Sequence, residues 1–333
     1  MRYLFVAVFF SLLLAGSFLF WHNKISPYSI VKTSDRSSLQ QNIEETGTIF
    51  LVGDIMLDRG VEYYIRKNQD WKWPFLKIAD VLQQADLVFA NLESVISDKG
   101  TSQGSIYSFR ADPQAMESLV FAGIDVVSVA NNHSLDYGLE AFGDSLNRLK
   151  NAGISPIGGD FSKTEARSPV IKEVRGTKVG FLAYTNAGSS LWQATENTPG
   201  IAWVDQDSLL EFQEDIKNAK EKADILIVSL HFGEEYQKEP NTTQTLISKT
   251  AIDAGADLVV GHHPHVVQPI EPYKQGWIAY SLGNFVFDQG FSPETMEGML
   301  FEVVVQDKKI TRVSPRPIYL NSEFQPSFQN LAE

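Results

Sequence analysis

The stretch ADILIVSLHFGEEYQKEPNTTQTLISKTAIDAGADLVVGHHPH, residues 223–265, decides how the chain is read. It opens with a short apolar run rich in β-branched residues, the pattern of a buried strand. That run ends at His231. A helical pattern follows over 242–254, and then a second apolar run breaks off at His262, His263 and His265. Strand, helix and strand in that order predict a crossover unit with parallel strands. Each strand closes in histidine.

The same unit recurs upstream. TIFLVGD ends at Asp54, ADLVFANLE at Glu93 and IDVVSVANNH at His133. Helical-looking segments at 74–84, 113–122 and 208–222 precede the later runs. The alternation predicts an α/β fold with a largely parallel or mixed sheet and helices outside. In open α/β sheets, ligands bind beyond the carboxyl ends of the strands. All five polar clusters fall at such ends. Segments 168–185, around Arg175 and Gly176, and 299–320, around Asp307 and Lys308, read as hairpins. A second, mixed sheet built from such hairpins would complete a sandwich. Nothing after Gly47 reads as a linker, so one domain is expected over 48–325.

Composition narrows the function classes. The chain has 333 residues, 43% of them hydrophobic, enough to bury a sizeable core. Its formal net charge of −13 argues against non-specific nucleic-acid binding, which needs basic clusters to neutralise phosphates. There is no cysteine, which excludes disulfides, thiolate metal sites and a Cys nucleophile. The N-terminus, MRYLFVAVFFSLLLAGSFLFW, carries an apolar run over 3–21, about the length of a membrane-spanning helix. Residues 1–22 are therefore expected to be an uncleaved transmembrane anchor, and 23–47 a juxtamembrane linker. The protein would be a single-pass protein of the bacterial cell membrane with its domain extracytoplasmic. Signal cleavage and secretion is the alternative.

Each polar cluster has two readings in isolation. In GDIMLDRG, Gly53 permits a tight turn and Asp54 supplies a hard oxygen ligand, or caps a turn. Asp58 and Arg59 read as a solvated turn. In NLES, Asn91 and Glu93 point the same way at strand spacing, and Glu93 is the better ligand; a capping role is the alternative. ANNHSLDYG combines amide ligands with an acid/base imidazole. Asp136 either orients His133 or caps a helix beginning near Tyr137. Glu234 and Glu235, after His231, read as an exposed loop. His263 and His265 would project to one side of an extended backbone, with Pro264 enforcing extension at His263 and His262 pointing away. Jointly, a Cys-free Asp/Glu/Asn/His set suits Mn, Fe, Zn or Mg, and is large enough for one or two divalent ions. Paired ions can activate a bridging water and stabilise a developing oxyanion.

Read in order, GDIMLDRG, NLES, YSFRADP, VANNHSLDYG, LHFGEEY, GHHPHVVQ and YSLGNFVFD resemble the capsule-synthesis CapA family. These are poly-γ-glutamate capsule proteins of the metallophosphatase-like (calcineurin-like phosphoesterase) superfamily. The blocks span residues 53–288. The resemblance implies a four-layer α/β/β/α sandwich with a metal site at its strand ends. It also implies roles by position. Asp54 looks like a ligand of the first metal, Glu93 stands at the bridge, and Asn132 and His133 match a pair of metal ligand and general acid. His231 and His263 look like second-metal ligands, with His265 returning to the first. Two positions depart from the superfamily pattern: Met56 replaces a histidine and Glu93 an aspartate. Arg110 would hold an anionic substrate group, or form a structural ion pair. Asn284 and Asp288 would brace loops.

The implied function is a membrane-anchored, extracytoplasmic hydrolase or transferase of capsular polymer synthesis or export. Its partners would be an anionic capsular or envelope polymer and membrane synthase or export subunits, with no nucleic acid. A non-enzymatic accessory subunit and a generic metallophosphoesterase are the alternatives.

Overall fold

The computed structural model describes residues 46–328. The predicted anchor at 1–22, and all but the end of the predicted linker, lie outside the described residues. Among the described residues, no helix is long and apolar enough to cross a membrane.

Five strands carry the architecture: β1 (Gly47–Ile55), β2 (Leu87–Leu92), β3 (Val126–Ser128), β4 (Ile225–His231) and β5 (Leu258–His262). Their period-two alternation sorts neighbouring residues into different cores. Ile49 and Leu51 of β1 face one hydrophobic cluster, while Phe50 and Val52 face another. Ile225 and Ile227 of β4 join the first cluster, and Leu226 and Val228 a third. Strands buried on both faces read as continuous apolar runs, which is why these segments lack hydrophobic–polar alternation.

The first sheet runs Pro326–Ser327, Lys309–Leu320, Glu297–Gln306, β1, β2, β3, Ser155–Ile157, with Asn284–Val286 also paired to β1. The second runs Ile270–Tyr273, Gly276–Ala279, β5, β4, Thr177–Thr185, Val170–Val174. Their inner faces meet in one cluster, in which Phe89 and Phe181 stack at 5.8 Å between ring centroids. Helices α1 (Arg59–Asn68), α2 (Met116–Ala122) and α3 (Gly138–Asn151) cover the outer face of the first sheet through Val61, Leu119 and Phe142. Helices α4 (Leu209–Lys220) and α5 (Thr242–Ala254) cover the second through Phe212 and Ile247. The layers are helix, sheet, sheet, helix.

Three expectations change. Both hairpins form, but they do not build a sheet of their own. Val170–Val174 with Thr177–Thr185 extends the second sheet, and Glu297–Gln306 with Lys309–Leu320 the first. Each sheet is therefore mixed, with parallel strands flanked by antiparallel ones. The helix expected at 74–84 is two short turns, Trp73–Phe75 and Ala79–Leu82, because Phe75, Ile78, Ala79 and Leu82 are all drawn into the core. The folded domain also extends slightly past 48–325: β1 begins at Gly47, and Pro326–Ser327 pairs with the preceding strand.

Candidate functional site

Strand register brings the polar residues together. In the first sheet Asp54 lies opposite Asn91 on one side and Asn284 on the other. In the second, His231 lies opposite His262. The close fit of β1 requires Gly53. A Cβ there would fall 2.0 Å from the Gly283 carbonyl oxygen, which accepts from Asp54 N at 3.0 Å. Gly53 thus serves a close backbone approach, and is absent from the positive-φ glycines that a turn would require.

Asp54 is fully buried. Its Oδ1 lies 2.9 Å from Asn91 Nδ2 and 3.1 Å from His262 Nδ1, and its Oδ2 lies 3.4 Å from His265 Nδ1. Glu93 is equally buried. Its Oε2 accepts from Asn91 Nδ2 at 3.3 Å, but its Oε1 has no hydrogen-bond partner. That oxygen is faced by His265 Nε2 at 3.5 Å, His133 Nε2 at 3.8 Å and His231 Nε2 at 4.0 Å. Asn132 Oδ1 is 2.7 Å from His231 Nε2. His263 Nδ1 is buried without a partner, and the His263 and His231 rings are 4.8 Å apart. Two sets of ligand atoms are mutually within 4.8 Å: Asp54, Glu93 and His231; and Glu93, His263 and His265. Buried acceptors left bare are costly unless something fills the space between them.

The electrostatics agree with the geometry. Burial pulls the Asp54 carboxyl upward, but hydrogen bonds and charge from His262 and His265 outweigh it and hold it well below the usual range. Burial, then the charges of Asp54, Glu235 and Asp136, push Glu93 well above that range. Burial and the charge of His263 drive His231 well below the imidazole range, and burial with His265 drives His263 down to about 3. Neutral imidazoles at His231 and His263 suit cation binding, whereas an ion would displace the proton that burial and crowding favour on Glu93. The donor set of carboxylate, amide and imidazole fits such an ion.

His133 occupies the cavity side of the cluster. Its Nδ1 lies 2.7 Å from Asp136 Oδ2, and its ring packs on Phe109 with centroids 4.0 Å apart. Asp136 Oδ2 also accepts from Phe109 N at 2.8 Å. It does not cap α3, whose N-cap is Tyr137 without a side-chain bond. Above the cluster lies a cavity of about 170 Å³ with His133 and His265 in its wall, flanked by Arg59, Glu235, Tyr107 and Tyr236.

A model of the family described as bacterial capsule synthesis protein PGA_cap matches residues 48–289, the part of the chain that holds all of these groups. The chain belongs to the PGA_cap family. It is 32% identical over 304 residues to the capsule biosynthesis protein CapA of Bacillus anthracis, covering 87% of this chain and 74% of that protein. It is 32% identical over 270 residues to the PGA biosynthesis protein CapA of Bacillus subtilis strain 168, covering 80% and 70%. A solved structure of a novel phosphatase from Mycoplasma pneumoniae has the same fold, with a TM-score of 0.53 and 14% identity over 83% of this chain and 95% of that one.

Within this PGA_cap domain, Asp54, Glu93, Asn132, His133, Asp136, His231, His263 and His265 lie in one cluster. Arg110 does not join them. Its Nη1 donates to the Lys99 and Gly100 carbonyls, its guanidinium lies over the Tyr137 ring, and its backbone N donates to Asp58. The cavity-wall arginine is Arg59, whose sequence context predicts only a solvated turn. Asp58 is the N-cap of α1. Met56 is also outside the cluster, packed in an apolar group with Phe109 and Phe287.

The approach of His263 and His265 differs from the extended-strand expectation. Strand β5 ends at His262, and His263 and His265 take positive φ, 96° and 58°. A backbone bend, not strand alternation, aims their rings. Such conformations cost about 1–3 kcal/mol each and persist where the surroundings enforce them. Here the His263 N–H is held by Asp54 Oδ2 at 3.3 Å. His262 braces Asp54 from within the core.

Asn91 is the residue whose importance the sequence concealed. Its amide touches Asp54, Glu93 and His231, and its carbonyl accepts from Asn131 Nδ2 at 3.3 Å. Same-face spacing with Glu93 was the available signal, but the charged neighbour drew the ligand assignment.

Proposed function

We propose that this chain works in poly-γ-glutamate capsule synthesis or export as a metal-dependent hydrolase or transferase. Its apolar N-terminal run would anchor it in the membrane with the domain outside. Family membership and the names of the Bacillus relatives support the capsular polymer as its setting. The observation that carries the catalytic reading is Glu93 Oε1, a buried acceptor without a donor, faced by three imidazole nitrogens.

Asp54, Glu93, Asn132, His231, His263 and His265 would hold one or two divalent ions of the Mn, Fe, Zn or Mg class. Such an ion supplies Lewis acidity, easing the ionisation of water and stabilising developing negative charge. The chain's own groups do the rest. Asn91 keeps the two carboxylates and His231 in register. Asp136 fixes His133 through Nδ1, leaving Nε2 towards Glu93 to hand a proton to a leaving group. Burial excludes bulk water from the carboxylates. Met56, a poor ligand for a hard ion, is turned into an apolar cluster, which favours one tightly held ion and a weaker second.

The test measures metal content of the purified full chain, and its hydrolysis of γ-glutamyl oligomers and of phosphoesters, beside His133→Ala. A metal-loaded wild type with activity on one panel, reduced at least about 100-fold in the variant, is expected. A folded wild type that binds no metal and is inert on both panels sinks the reading.

Met56 motivates a second reading, an accessory subunit that binds polymer without turning it over. Full polymer production by cells carrying a folded, membrane-bound Glu93→Ala chain would favour it.

A further inference from the structure

The cavity above the cluster has Arg59, Asp288 and Glu235 in its wall, and Arg59 and Glu235 are not paired with each other. Arg59 is held by Asp288, with Nε to Oδ2 at 3.1 Å and Nη2 to Oδ1 at 2.8 Å. This fork presents the guanidinium at a set angle, 5.1 Å from the Phe109 ring centroid and 5.9 Å from that of Tyr107. Arg59 also takes positive φ, 52°, immediately after the N-cap of α1. A strained residue kept in a cavity wall points to a use for its side chain. A Cβ on Gly60 would meet Asp288 at 2.8 Å, so the pair is fitted closely into its place.

Glu235 is the opposite charge. It lines the same cavity, and none of the ion pairs among the described residues includes it. The loop that carries it is anchored: Tyr236 takes φ 65°, donates its N–H to the Pro264 carbonyl at 2.8 Å, and packs edge-on against Phe291.

We infer that this cavity is a subsite for the free amino end of a substrate chain, with its α-carboxylate on Arg59 and its α-ammonium against Glu235. The inference rests on the reading above, and it adds that the enzyme works from a chain end. About 170 Å³ is below the roughly 300–1,000 Å³ of pockets that enclose drug-sized ligands, and suits one residue-sized group. An interior γ-linked residue keeps its α-carboxylate, but its nitrogen is an uncharged amide. Arg59 therefore reads any residue of such a polymer, whereas Glu235 distinguishes the end from the interior. With the terminal residue seated there, its γ-carbonyl extends towards His133 in the cavity wall.

The test is calorimetric binding of γ-glutamylglutamate to the purified full chain, compared with the same dipeptide N-acetylated, or carrying a carboxamide for the α-carboxylate of its first residue. Wild type is expected to bind the free dipeptide about tenfold more tightly than the carboxamide and about fivefold more tightly than the acetylated form. Glu235→Gln should erase only the amine preference and Arg59→Ala only the carboxylate preference. Arg59→Lys, which keeps the charge and loses the fork, should fall between, and melting curves check that each variant folds. Equal binding of free and blocked dipeptides, preferences that survive in the folded variants, or no binding of the free dipeptide by folded wild type overturns the inference. End-selective binding without turnover would sink only the proposed reaction, and turnover without end selectivity only the subsite.

Discussion

Replacing Gly53 with alanine tests how the site is built. The added Cβ would lie 2.0 Å from the Gly283 carbonyl oxygen, where close C···O contacts are about 3.3 Å or more. The two strands would have to separate by about 1.3 Å, within a core that is close-packed on both faces. Overpacking of this kind costs about 1–3 kcal/mol, and losing the bond from Asp54 N to Gly283 O adds about 1 kcal/mol. A total near 3 kcal/mol corresponds to a fall in Tm of roughly 6–12 °C for a domain of this size. The displacement also falls on Asp54, whose contacts of 2.9 and 3.1 Å to Asn91 and His262 cannot survive a shift above an ångström. Thermal unfolding of the full chain, followed by circular dichroism, measures the first effect. Metal titration measures the second, and tightly bound metal should fall in step with stability. A Gly53→Ala chain that melts within about 1 °C of wild type would refute the close-approach reasoning.

Four further outcomes are expected. Asp136→Asn should leave Tm nearly unchanged while lowering the proposed hydrolysis at least about 100-fold, read by single-turnover kinetics, because His133 loses the carboxylate that orients it. Chelation should lower Tm and re-addition of the ion restore it, since an ion at 100 times its Kd stabilises by about 2.7 kcal/mol. Arg110→Ala should cost about 1–2 kcal/mol in unfolding experiments, through its lost carbonyl bonds and ring contact, without weakening dipeptide binding. At the Asp144 carboxyl, burial pulls upward but hydrogen bonds from Arg148, Lys99 and Ser97 win and bring it from 3.8 down to about 2. Its small, solvent-screened contribution is present above pH 3.8 and lost as pH falls through about 2, so the Tm difference between wild type and Asp144→Asn should close across that window.

Much of the fold was legible because it rests on local pattern. The runs that became β1, β2, β4 and β5 carry apolar residues on both faces, and α5 begins with a capping box of Asn241 and Gln244. The strand ends, marked by abrupt polar clusters, placed most of the candidate site. Partner choice was less legible. Both hairpins could be seen, but the sheet each would join depends on long-range packing, which no local window contains. Arg110 and Arg59 illustrate the same limit. Arg110 follows a plausible anion-binding pattern and Arg59 that of a solvated turn, yet Lys99, Gly100 and Tyr137 capture the first while Asp288, distant in sequence, holds the second at the cavity.

The order of residues alone determines which donor groups this chain offers. Carboxylates, amides and imidazoles are spaced one cluster per strand end, with no thiol among them. It also sets the clusters of each sheet on one edge of that sheet, since parallel strands joined by crossovers place their carboxyl ends together. How the groups face each other is a tertiary decision. Register set Asp54 beside Asn91 and Asn284, the facing of two sheets set it beside His262 and His265, and a bend with positive φ turned His263 and His265 inward. The reason is physical. Side-chain identity is local, but the energy that leaves Glu93 Oε1 bare among three imidazoles is supplied by the surrounding core, which exists only when both sheets have closed on it.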